Sequence, residues 1–74
     1  MARIKILYRD NYKKPILIAL TIIKEFGGIS LEQMAMLKMQ YNSKSDIEVE
    51  VPSDSVRDIA EHLSSMEFGY EVVQ

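Results

Sequence analysis

Ile47-Glu48-Val49-Glu50-Val51 alternates apolar and acidic residues without interruption. Successive side chains of an extended strand point to opposite faces, so Ile47, Val49 and Val51 face a core while Glu48 and Glu50 face water. A strand patterned in this way belongs to a sheet covered on one side only. Pro52-Ser53 breaks the run, and Ser53 is placed to cap a third helix with Val56, Ile59, Ala60, Leu63 and Met66 along one face. Gly69 ends that helix, and Tyr70-Glu71-Val72-Val73 reads as the last strand, completing a βαβ unit.

Upstream of this unit, Asn42-Ser43-Lys44-Ser45 is a loop. Before it lies a second helix, with Ser30 as N-cap, Gln33 three residues on to complete a capping box, and an end near Tyr41. A first helix starts at Pro15, where a missing N–H is harmless, runs to about Phe26 and stops at Gly27-Gly28. The polar turn Arg9-Asp10-Asn11-Tyr12 separates it from a first strand, Ile4-Lys5-Ile6-Leu7-Tyr8, with Ile4, Ile6 and Tyr8 on the inward face.

The order is therefore β-α-α-β-α-β. It predicts a single domain over residues 1–74 in the α+β class, a two-layer fold with a three-stranded, mostly antiparallel sheet and its helices on one face. The first strand lies most simply between the other two, antiparallel to both, in the order 2-1-3. Lys5 then stands between the acidic strands on the open face, and cross-strand pairing accounts for these charges without a ligand.

Cysteine is absent from the 74 residues, which excludes disulfides, thiol catalysis and thiolate metal sites and fits a cytoplasmic location. The apolar run Ile16 to Ile23 is eight residues long and broken by Thr21, whereas a membrane span needs about 20, so no membrane is expected as a partner. Residues 1–45 hold eight Lys or Arg against three acids, and residues 46–74 hold one Arg against eight acids, a polarity able to orient a charged partner.

Chemistry-bearing clusters are scarce. His62 is the sole histidine and reads as a surface residue near Asp58, so no metal is expected. Ser30 and Ser53 are explained by capping, Gly27-Gly28 by a helix stop, and no nucleophile–base arrangement is visible. Neither a catalytic site nor a cofactor is expected.

Apolar surplus on the first two helices is more informative. Ile16, Ala19, Leu20, Ile23 and Phe26 form the stripe that faces the sheet, leaving Leu17, Ile18 and Ile22 outside its middle. Met34, Met36 and Met39 cannot all face the sheet together, and methionine serves both as core filler and as adaptable docking surface. Either the two helices cover one another's excess, or Leu17, Ile18, Ile22, Met36 and Met39 form an exposed patch for a protein partner or a homodimer. The rival reading is nucleic-acid binding through Arg3, Arg9, Lys13 and Lys14, which cluster on the first strand and the loop after it. Overall charge is −2 and no nucleic-acid motif is present, which favours the protein partner.

Three segments carry a family likeness: Lys24-Glu25-Phe26-Gly27-Gly28-Ile29-Ser30-Leu31-Glu32-Gln33, Pro52-Ser53-Asp54-Ser55-Val56 and Gly69-Tyr70-Glu71-Val72. With the β-α-α-β-α-β order, the chain from Ile4 to Val73 resembles the superfamily of the ribosomal protein L7/L12 C-terminal domain and the ClpS adaptor. The L7/L12 likeness implies recruitment of translation GTPases by basic residues of the first two helices. Lys24 matches one of these, and Glu32 stands where a further lysine belongs. The ClpS likeness implies capture of an N-terminal amino group by an Asn-Asp-Asp stretch after the first strand, with a histidine late in the second helix. The matching positions here are Arg9-Asp10-Asn11-Tyr12, in which Asp10 supplies a carboxylate, and Gln40 followed by Tyr41. Shared between the two families is an adaptor-like recognition module that is not an enzyme.

Overall fold

The computed structural model describes residues 2–73. Strand β1 (Ala2–Ile6) is followed by helices α1 (Ile16–Gly27) and α2 (Leu31–Asn42), strand β2 (Ile47–Val51), a 3₁₀ turn (Ser53–Ser55), helix α3 (Val56–Ser65) and strand β3 (Tyr70–Val73). The sheet order is β2-β1-β3, and β1 runs antiparallel to both neighbours. Arg3 is opposite Glu50 and Val73, Ile4 opposite Val49 and Val72, and Lys5 opposite Glu48 and Glu71.

The alternation read in the sequence decides which face is covered. Ala2, Ile4, Ile6, Ile47, Val49 and Val51 are all buried beneath the helices, while Arg3, Glu48 and Glu50 are exposed on the other side. From above, Leu20, Ile23, Ile59 and Leu63 are fully enclosed. Each such side chain contributes about 1.5–3 kcal/mol by leaving water. Lys5, between Glu48 and Glu71 in register, carries its ammonium to the loop carboxylate of Asp46, at 3.7 Å.

Two glycines set the path between α1 and α2. A Cβ on Gly27 would lie 2.8 Å from Val51 Cγ1, so the end of α1 approaches β2 as closely as a backbone can. Gly28 adopts φ 74°, a left-handed cap that L side chains resist, and its N–H donates to the Lys24 carbonyl. Ser30 then accepts the Gln33 N–H at 3.0 Å, the capping bond that starts α2.

Three boundaries differ from the sequence reading. Strand β1 is shifted to Ala2–Ile6, leaving Tyr8 half-buried in the following loop. Ser53 does not cap α3: the chain leaves Pro52 through the 3₁₀ turn, closed by the Ser55 N–H on the Pro52 carbonyl, and α3 starts without a side-chain cap. Gly69 does not end α3 either. Phe68 is buried in the core, so the chain must reverse before it, and Glu67 takes the left-handed position at φ 64° while the Phe68 N–H bonds the Leu63 carbonyl.

Candidate functional site

The loop joining β1 to α1 is tied down by tyrosines. In the antiparallel register Leu7 follows Ile6 and stands opposite Gly69. One ladder bond between them is direct, from the Leu7 N–H to the Gly69 carbonyl at 3.0 Å. The second is replaced by the Tyr12 hydroxyl, which accepts the Gly69 N–H at 3.0 Å and donates to the Leu7 carbonyl at 2.7 Å. This insertion ends β1 at Ile6. Phe68 packs edge-on against the Tyr12 ring, with centroids 5.1 Å apart.

Tyr41, at the end of α2, secures the loop from the other side. Its hydroxyl donates to the Arg9 carbonyl at 2.6 Å, and its ring lies 5.0 Å from that of Tyr8 and 6.5 Å from that of Tyr12. Burial holds the Tyr41 hydroxyl above its ordinary value of 10.0, and the neighbouring Tyr12, Tyr8 and Asp10 add to the shift. The Tyr8 N–H donates to Asp46 Oδ1 at 2.6 Å, fixing the loop against the lead-in to β2.

Between this loop and the end of α2 lies an open depression of about 290 Å³. Tyr8, Tyr12 and Tyr41 line it, together with the start of α1 at Pro15 and Ile16. Arg9, Lys14 and Lys44 stand around it with a single carboxylate, Asp10. Among the described residues none of these three cations enters an ion pair. A shallow wall of tyrosine rings with an unpaired basic rim is suited to an anionic group next to a ring or short apolar side chain.

The basic residues anticipated for nucleic acid divide. Arg9 and Lys14 come together at the depression. Arg3 lies on the open sheet face, 3.7 Å from Glu50, and Lys13 turns to Glu67 at 3.4 Å. Lys44 was missed. It reaches the site from a left-handed residue at φ 66° just after α2, and loop composition carries no sign of that direction.

The helical patch divides as well. Ile22 is 8% exposed and belongs to the core, and Ile18 packs partly buried against it. Leu17 and Ile22 are five residues apart, about 140° around a helix, so one exposed face cannot hold both. Leu17, Met36 and Met39 do reach the surface, the methionines 62% and 70% exposed, and Leu31 joins the exposed residues. Met34 packs against the core beside buried Leu37.

His62 places Nδ1 2.8 Å from the Asp58 carbonyl, not its carboxylate, and its ring 4.7 Å from that of Phe26. No group of three or more His, Asp or Glu able to hold a metal occurs among the described residues, and no helix there is long and apolar enough to cross a membrane. In comparison with known proteins, the chain matches no family model, no curated protein and no solved structure.

Proposed function

We propose that this domain is a non-enzymatic protein-recognition module that holds an acidic segment of a partner in the depression between the β1–α1 loop and the end of α2. The observation that carries this reading is the convergence of Arg9, Lys14 and Lys44 on a wall of three tyrosines, with Asp10 as the one opposing charge. Carboxylates of the partner meet the rim, and an adjacent apolar side chain meets the tyrosine rings. The depression overlaps the positions that the ClpS resemblance singles out: Arg9, Asp10 and Tyr12 line it, and so does Tyr41, next to the Gln40 that stands in the histidine's place. A rim rich in cations selects a carboxylate there, where the adaptor family selects an amine.

Exposed Met36 and Met39 on α2 give a partner a second, adaptable surface to lie on. A single-stranded nucleic acid is the second reading, favoured by the same cations beside rings that offer stacking faces. The protein reading is preferred because Arg3 and Lys13 are engaged elsewhere, leaving no continuous basic track for a phosphate backbone.

Tyrosine emission reports the site directly, since the chain has no tryptophan and three of its four tyrosines line the depression. Titration with an acidic peptide containing an aromatic residue, its basic counterpart and a single-stranded oligonucleotide separates the readings. Saturable, salt-sensitive binding of the acidic peptide alone, lost in the Arg9→Glu/Lys14→Glu/Lys44→Glu variant, supports the proposal. Binding of the oligonucleotide alone would replace it with the second reading, and binding that survives the triple variant would remove the depression as the site.

A further inference from the structure

Strand β3 is the least protected part of the sheet. Ala2, Ile4, Ile6, Ile47, Val49 and Val51, which face the helices, are each at most 4% exposed. Val72, opposite Ile4 on the same face, is 39% exposed. The other edge differs: Gln33 of α2 lies beside Glu48, Val49 and Glu50 of β2. Strand β3 has no lysine, proline or bulge; what guards it is its length of four residues and the charge of Glu71.

Its backbone polarity can be worked out residue by residue. Gly69 turns its carbonyl to the Leu7 N–H on β1. Antiparallel alternation turns Glu71 and Val73 the same way and leaves the N–H and C=O of Tyr70 and Val72 pointing off the sheet.

We propose that a second copy of this chain occupies the edge, pairing β3 with β3 antiparallel about a two-fold axis at Val72 to build one six-stranded sheet. Charge selects both occupant and register. An axis at Glu71 would set two glutamates face to face, which is unfavourable. An axis at Val72 sets Glu71 of one copy against Val73 of the other. Val73 is in turn opposite Arg3, which has Glu50 on its far side and no acid on its near side. Glu71 of one copy and Arg3 of the other then flank Val73 in a single row, about 10 Å apart at the backbone and within reach of one another's side chains. The two Val72 side chains meet on the helix-side face and cover each other.

Sedimentation of the full chain over a wide concentration range, with hydrogen exchange at its ends, tests the pairing. The expected result is a monomer–dimer equilibrium in which the Val72 amide, bonded to the Val72 carbonyl of the other copy, gains protection as concentration rises. Val72→Pro removes an N–H that the β1 ladder does not use, so it should leave a folded monomer, and Val72→Thr should still dimerise. A wild-type chain that stays monomeric throughout, a dimer that persists in folded Val72→Pro, or a dimer whose Val72 amide stays unprotected would overturn the proposal. Should Val72→Pro fail to fold, the concentration dependence of the Val72 amide decides alone. Selective binding of an added extended peptide at the edge, with no self-association, would assign it to a foreign strand.

Discussion

The Tyr12 hydroxyl stands 3.0 Å from the Gly69 N–H and occupies the place of a backbone acceptor in the ladder between β1 and β3. A side chain from the loop thereby performs a strand's task, and one of the two bonds of this pair runs through its single oxygen. Tyr12→Phe leaves the Gly69 N–H and the Leu7 carbonyl without their bridge. The expected loss is about 1–2 kcal/mol in chemical denaturation, with faster exchange of the Gly69 amide. An unchanged stability would mean that water substitutes fully for the hydroxyl.

Space at Gly69 is tight. A Cβ there would lie 3.1 Å from the Tyr12 hydroxyl and 3.1 Å from Arg9 Cζ. Gly69→Ala should destabilise by about 1–3 kcal/mol through overpacking. In the Tyr12→Phe background the same substitution should cost measurably less, because the bridging oxygen it displaces is gone. Strict additivity in the double-mutant cycle would contradict this coupling.

The contact between α1 and β2 makes a similar prediction. Gly27→Ala drives a methyl into Val51 Cγ1, 2.8 Å away, at a cost of about 1–3 kcal/mol. Combined with Val51→Ala, which opens the same space, the total loss should be smaller than the sum of the two single losses. Thermal unfolding of the four proteins measures it.

Core and surface on the helices are separable by truncation. Ile22→Ala should cost about 2–4 kcal/mol, since Ile22 is buried. Met36→Ser and Met39→Ser, at exposed positions of α2, should each fall within about 0.5 kcal/mol of the parent. A large loss at either methionine would place it in the core.

Burial raises the Tyr41 hydroxyl in the folded state above its unfolded value of 10.0. The folded chain therefore holds this proton more tightly than the unfolded chain does. Its contribution is fully present below the unfolded value and is lost as pH rises past it through the folded value, so alkaline stability should fall across that window. Tyr41→Phe should flatten the decline, a comparison made by denaturant titration at a series of alkaline pH values.

How far the sequence could be read depended on whether one face of an element was marked by charge. Strand β2 was legible because Glu48 and Glu50 label the wet side. Strand β1 was read two residues late, since Leu7 and Tyr8 continue an apolar run and nothing local announces that Tyr12 will take over the ladder. Helix α2 has apolar residues on every side, Leu31, Met34, Met36, Leu37 and Met39, so its inward face was set by tertiary packing that sequence spacing does not contain. The depression was half visible: Arg9 and Lys14 are near in sequence, whereas Lys44 and Tyr41 arrive only because α2 folds back antiparallel on α1.

The central position of β1 carries a kinetic consequence. Its partners in the sheet come later in the chain, and the pairing of Arg3 with Val73 closes a loop spanning almost the whole domain. Such closure has to be met before its contacts give anything back, which slows folding relative to helical proteins of equal size. While a polypeptide is being made, Ile4 and Ile6 emerge well before the residues that will flank them. The nascent domain passes through a stage in which helices α1 and α2 can form while its central strand still lacks both neighbours, and this is the interval in which it is most exposed to aggregation or to a chaperone.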